Sequence, residues 1–201
     1  MIDPHNVTDF SRSKEQLEEF LIFCICVAGK TATVMAKKVE DFLFHSPEST
    51  DYPFLTIQKM ILSQTLFNNL RRAKLGKYNL LQKSFRELLK ADLDLSTCSV
   101  EDLEAIPGVG RKTSRFFVVH TRPNQNYAIL DTHVLKWLDT IGYTLPKQIA
   151  SDYLTVEKHF LAEAKARNMI VADLDLKIWS ASSNKISLNN VIPHHNVRLV
   201  T

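Results

Sequence analysis

The chain has 201 residues, 45% of them hydrophobic and 23% charged, which is enough to bury a core and too apolar for a disordered chain. Its 25 Lys+Arg against 22 Asp+Glu leave a formal net charge of +3, a mild excess that proves no nucleic-acid partner by itself. Three cysteines, Cys24, Cys26 and Cys98, follow no framework spacing; they argue against disulfides, for a reducing compartment, and fall short of a four-cysteine iron–sulfur site.

In chain order, apolar residues recur at helical spacing and no segment alternates as a strand does. Met1 to Arg12 is polar and does not read as a signal peptide. Ser13–Ala28 is the first predicted helix, capped by Ser11 or Ser13; its apolar run Phe20–Ala28 is too short to span a bilayer and reads as buried. Lys30–Phe44 places Val34, Val39, Phe42 and Leu43 on one face, Pro53 opens a helix over Phe54–Phe67, and Tyr78–Leu89 follows the loop at Gly76. Ser99–Ala105 is short, with Ser99 and Asp102 at capping-box spacing. Thr113–His120, Thr132–Ile141, Lys147–Lys165 and Ala172–Trp179 complete nine or ten helices. The fold class is therefore all-α, a two-lobed helical bundle. Residues 54–141 are expected to form a central lobe, 13–50 and 142–180 a second lobe, and 181–201 a flexible tail.

The most informative segment runs from Leu103 to Thr113. A short helix ends at Ile106, Pro107 stops it, and Gly108 and Gly110 flank Val109 so that the backbone can turn and approach a partner closely. A second helix starting near Arg111 then points unsatisfied amides and its positive dipole end outward. Such a hairpin cradles one phosphate of a duplex without reading sequence, with Thr113 at the helix start and with Arg111 and Arg115 adding charge.

Ile106–Thr113 resembles the hairpin of the helix-hairpin-helix DNA glycosylases. In that superfamily an aspartate follows at a distance. Asp131, in Tyr127-Ala-Ile-Leu-Asp-Thr-His-Val134, stands 19 residues beyond Lys112 and matches it. Ile61-Leu-Ser-Gln-Thr65 is similar to the family segment whose glutamine enters the duplex where a base has left, which assigns that role to Gln64. The likeness covers most of Phe54–Ile141 and implies a DNA-binding cleft between the lobes. A lysine at position 112 implies the bifunctional branch, a glycosylase that is also a strand-cleaving lyase. The missing four-cysteine cluster turns the likeness toward the cluster-free 8-oxoguanine enzymes. Residues 27–30 and 173–179 are similar to their small prokaryotic members.

The chemistry needs an extruded nucleotide, a filler for the hole, and charge near the sugar. Gln64 can fill the hole and bond to the orphaned base. Asp131 can stabilise the developing sugar cation, although an aspartate before Thr-His-Val is also a good helix cap. Lys112, as a free amine, can attack C1′ and form a Schiff base; a phosphate contact is its plainer reading. His133 is expected to pack beside the hairpin or contact a phosphate. Phe116, Phe117, Trp137 and Trp179 read as core, with one of them free to stack on the extruded base. The run from Leu70 to Lys77 carries four positive charges and is either a solvated face or a DNA-facing loop. The partner is expected to be duplex DNA with a damaged base, 8-oxoguanine first. The protein is expected to be a cytoplasmic monomer with no membrane segment, metal or cofactor. Two alternatives stay open: a monofunctional glycosylase for alkylated or modified bases, and a non-catalytic DNA-binding module.

Overall fold

The computed structural model describes residues 2–183. These form ten α-helices and, among the described residues, no strand: α1(Lys14–Val27), α2(Ala32–Phe44), α3(Pro53–Leu62), α4(Leu66–Arg72), α5(Tyr78–Ala91), α6(Val100–Glu104), α7(Arg111–Thr121), α8(Thr132–Thr140), α9(Tyr153–Ala166) and α10(Val171–Ser183). No helix among them is long and apolar enough to cross a membrane.

The chain divides into two compact units between Arg122 and Pro123. The first is built around α1, in which every residue from Leu17 to Cys26 is buried. A helix covered on all sides belongs inside a core; α2, α3 and α7 pack against it, and Phe20 stacks on Phe117 with ring centroids 6.0 Å apart. Ser13 caps α1 in a full capping box with Gln16, and buried Glu18 accepts a hydrogen bond from the Phe54 amide at the start of α3. In the second unit α10 packs on α8 and α9, around Trp137 and Phe160.

This division differs from the lobes expected from sequence. Residues 13–50 group with the hairpin helices because α2, α3 and α7 pack on the apolar surface of α1. The predicted helix Phe54–Phe67 is two helices, broken at Ser63–Thr65. α9 begins at Tyr153 rather than Lys147, after a turn over 147–152. α10 runs to Ser183, so residues 181–183 are helix and not tail. The rest of the expected tail, with His194 and His195, lies outside the described residues.

Four of the helix ends share one geometry. In each, a residue with positive φ follows the helix, its amide bonds the carbonyl three residues back, and the next amide bonds five back. The positive-φ residues are Gln64, Lys74, Gly142 and Asn168. Gly142 and Asn168 are the residue types that tolerate this left-handed backbone; Gln64 and Lys74 are not.

Candidate active site and nucleic-acid interface

The hairpin lies in the first unit, between α6 and α7. Ser99 and Asp102 cap α6 reciprocally, as their spacing predicts. Gly108 has φ +87, and a Cβ there would meet Ser84 Oγ at 3.0 Å and Leu80 at 3.2 Å. The turn is thus pressed onto α5, and Ser84 Oγ donates to the Pro107 carbonyl to hold it there. Val109 is buried beneath the loop and its amide bonds the Ile106 carbonyl at 3.0 Å. Gly110 differs from Gly108: its backbone is extended, and a Cβ there would meet nothing within 4 Å. No strain requires glycine at 110. The space beside it is open, as approach by an outside group demands.

Gly110 is the N-cap of α7, and it supplies no side-chain cap; no acid stands in the first turn either. Instead Arg111 and Lys112 stand there, both exposed. Cations at the positive end of a helix are unfavourable by about 0.3–1 kcal/mol each unless an anion sits among them. An uncapped helix start with two exposed cations is a site for a phosphate. Among the described residues Lys112 makes no hydrogen bond or ion pair, so its ammonium is unengaged.

Arg115 does not belong to this surface. Its side chain is 5% exposed and pairs with Glu104 Oε1 at 2.6 Å, while Ser114 Oγ donates to the same oxygen at 2.8 Å. Glu104 thereby clamps α6 to α7. The expectation of a phosphate contact fails because position 115 falls on the inward face of α7. Thr113 is likewise buried, and can reach an anion only through its backbone amide.

Gln64 is exposed on the turn between α3 and α4, with φ +60, beside Leu62 at 76% exposure. Its side chain makes no hydrogen bond among the described residues. The turn beneath it is fixed by Glu48, whose Oε1 accepts from Thr65 Oγ1 at 2.5 Å and from Ser63 Oγ at 3.3 Å, and whose Oε2 accepts from Asn69 Nδ2 at 3.2 Å. The Thr65 hydroxyl holds the Glu48 carboxyl below the usual carboxylate range. Gln64 therefore stands on a braced turn with a free amide.

Asp131 lies in the second unit, as the N-cap of α8. Its Oδ1 accepts from the amides of His133 and Val134, both at 2.8 Å. Among the described residues Oδ2 has no hydrogen-bond partner, and the residue is half-buried. The cap expected from sequence is present, yet it engages one oxygen and leaves the other available. His133 is half-buried in the first turn; the contact the structure gives it is this backbone donation to Asp131.

The approach to Asp131 is held by two residues of α9 that sequence reading passed over. Tyr153 Oη donates to the Ala128 carbonyl at 2.7 Å and accepts from the Leu130 amide at 3.2 Å. Glu157 Oε1 accepts from the Ala128 amide at 2.8 Å. Both are buried. The signal was a glutamate on the apolar face of a helix, among Tyr153, Val156, Phe160 and Ala164 at helical spacing. Ser84 shows the same signal among Leu81, Phe85 and Leu88 of α5.

Of the aromatic candidates, Phe117 and Trp137 are buried in the two cores, whereas Phe116 and Trp179 are half-buried. Cys24, Cys26 and Cys98 are free and buried, and burial pushes the Cys26 thiol up to about 12. A buried thiol kept neutral in this way is a poor nucleophile.

The chain matches the family Ogg-HhH, described as 8-oxoguanine DNA glycosylase, over residues 3–169. It is also 26% identical over 145 residues, 70% of its length, to an endonuclease III of Buchnera aphidicola subsp. Schizaphis graminum (strain Sg). The chain spans 64% of that relative's length. No solved structure matches it.

Proposed function

From a chain that belongs to the helix-hairpin-helix DNA glycosylases, in the family described as 8-oxoguanine DNA glycosylase, we propose a base-excision-repair enzyme that releases a damaged base and then cleaves the strand. Two observations support this reading, one in each unit: an unengaged lysine at an uncapped helix start, and an aspartate cap whose second oxygen is open.

In this reading the α7 N-terminus and Arg111 take one phosphate, and Gln64 enters the stack as the nucleotide rotates out. Lys112 Nζ, as the neutral amine, attacks C1′; the C1′–N bond breaks and the base leaves with the electron pair and a proton. The Asp131 carboxylate stabilises the positive charge on the sugar. Its fixed Oδ1 leaves Oδ2 to take the proton that the attacking amine sheds and to pass it to the departing base. The Schiff base that follows permits loss of a C2′ proton and β-elimination of the 3′ phosphate. Three thiols are too few for a four-cysteine cluster, and the reading assigns no metal or cofactor to these steps. It takes the working species as a cytoplasmic monomer on duplex DNA.

The base assigned is 8-oxoguanine opposite cytosine. An acceptor for its N7 proton would tell it from guanine, because guanine would leave that acceptor buried and unpaired. Side-by-side single-turnover rates on 8-oxoguanine and thymine glycol duplexes test the assignment, and faster release of thymine glycol overturns it. Borohydride trapping tests the lyase. Lys112→Gln should abolish the covalent adduct while duplex binding stays within about tenfold, ~1.4 kcal/mol. The placement of Lys112 at a helix start also suits a phosphate anchor. Base release without trapping in the parent enzyme would favour that second, monofunctional reading.

A further inference from the structure

Three lysine ammoniums tie the end of α1 and the body of α2 to the α4–α5 connection. Lys30 Nζ donates to the Leu75 carbonyl, Lys38 Nζ to the Lys74 carbonyl at 2.9 Å, and Lys77 Nζ to the Ala28 carbonyl at 3.2 Å. Lys74 adds a fourth charge, exposed at the turn itself. Lys38 and Lys77 are both close enough to act on Lys30. Burial pushes Lys30 below the usual ammonium range, and the charges of Lys77 and Lys38 push the same way. Among the described residues none of the four forms an ion pair, and the nearby Asp41 carboxylate is taken by both oxygens onto Arg72.

An ordinary solvated face lets like charges spread. Here backbone carbonyls hold three of the four in place. Lys74 and Lys77 also occupy left-handed backbone, at φ +54 and φ +50, where glycine would be unstrained. The turn keeps lysine in a conformation that disfavours it and in a neighbourhood that repels it.

The location narrows the partner. α4 has seven residues, about 10 Å of axis, with Gln64 before its start and Lys74 past its end. That distance is short enough for one DNA strand to meet both turns. At the other side, Leu80 stands one helical turn beyond Lys77 and faces the Gly108 position of the hairpin. The α4–α5 connection thus adjoins the Gln64 turn through α4 and the hairpin through α5.

We propose that Lys30, Lys38, Lys74 and Lys77 form a second phosphate-tracking surface, which grips the duplex strand next to the extruded nucleotide. The proposal rests on the glycosylase reading above and adds to it a partner surface outside the hairpin.

The test is the salt dependence of duplex binding, read by fluorescence anisotropy between about 50 and 200 mM NaCl. The triple variant Lys38→Gln, Lys74→Gln, Lys77→Gln keeps an amide donor at each position. It should lower the slope of log K against log salt by about 0.9 per lost contact, hence by about 2 to 3. The corresponding Lys→Arg variant should keep the parent slope. Lys74→Gly serves as a second variant, because glycine relaxes the turn; it should lower the slope by about 0.9 without lowering Tm. A slope unchanged in both the triple Gln and the Lys74→Gly proteins overturns the proposal. If those two slopes are unchanged while Arg111→Gln lowers its own, the hairpin reading stands and the lysine surface falls. Absence of salt-dependent duplex binding in the parent protein overturns both.

Discussion

Gln64→Gly should make the protein more stable and less active at once. Gln64 occupies the C′ position that closes α3, at φ +60, with its own amide on the Ile61 carbonyl at 3.2 Å and the Thr65 amide on the Met60 carbonyl at 2.9 Å. A side chain in that backbone costs about 1 kcal/mol relative to glycine. Its exposed amide recovers nothing from the described residues. For a chain of this size 1 kcal/mol corresponds to about 2–4 °C in Tm, so Gln64→Gly should melt about that much higher. Gln64→Ala keeps the Cβ and should melt within about 0.5 kcal/mol of the parent. Both variants lose the side chain that fills the vacated stack, which is asked to offset part of an unstacking cost of a few kcal/mol. Single-turnover base release at limiting enzyme should therefore slow about 10- to 100-fold in both, ~1.4–2.7 kcal/mol. Fluorescence of 2-aminopurine beside the lesion should show less extrusion. A Gln64→Gly protein that melts lower than the parent would refute the strain argument. Base release within a few-fold of the parent would refute the wedge.

The remaining predictions separate structure from chemistry at other positions. Asp131→Asn keeps an Oδ1 acceptor for the His133 and Val134 amides, so Tm should hold while base release falls about 10²–10³-fold; Asp131→Ala should lose about 1 kcal/mol of cap as well. An Asn variant as active as the parent would leave Asp131 a cap only. Tyr153→Phe removes both hydrogen bonds to the Ala128–Leu130 segment and should lower kcat more than it raises KM; equal effects on both would mean general unfolding instead of a displaced carboxylate. Gly108→Ala meets Ser84 and Leu80 at positive φ and should cost about 1–2 kcal/mol in a melt. Gly110→Ala should leave the melt alone and weaken duplex binding in anisotropy, because its Cβ projects into the space open to a phosphate; unaltered binding would remove the cradle from the mechanism.

The helices were legible because their apolar faces and punctuation agree: Ser13, Ser99 and Asp131 all cap the helices their positions predict. The hairpin was legible for the same reason, since Pro107, Gly108 and Gly110 leave the backbone few other courses. What failed depended on which way a side chain faces. Arg115 and Arg111 are four apart and nominally neighbours on one helix face, yet Arg115 turns inward because Glu104, from a separate helix, offers it a half-buried partner. The break at Gln64 was hidden because no glycine or proline marks it; the turn is made by a glutamine in a glycine's place. Tyr153, Glu157 and Ser84 act through backbone groups distant in sequence and Glu48 through side chains on another turn, and periodicity alone does not register such partners.

The two helix starts that carry the proposed chemistry use the same backbone device with opposite charge. At α8 the exposed amides are met by the protein's own carboxylate, Asp131, which fixes that carboxylate in place by two bonds to one oxygen. At α7 the amides are met by nothing of that kind; the N-cap is a bare glycine and the adjoining residues are Arg111 and Lys112. The first end is complete without a ligand and the second is not. A helix that gathers cations at its positive end is destabilised by about 0.3–1 kcal/mol for each, and an arriving phosphate turns that term favourable. Binding at α7 can thus draw on the open helix start and on the unengaged Lys112, while α8 contributes rigidity alone. Phosphate or sulfate in the melt should accordingly stabilise the parent. The gain should shrink in Arg111→Gln and Gly110→Ala but persist in Asp131→Asn. Equal stabilisation of all four would place the anion elsewhere and remove the argument that α7 is built incomplete.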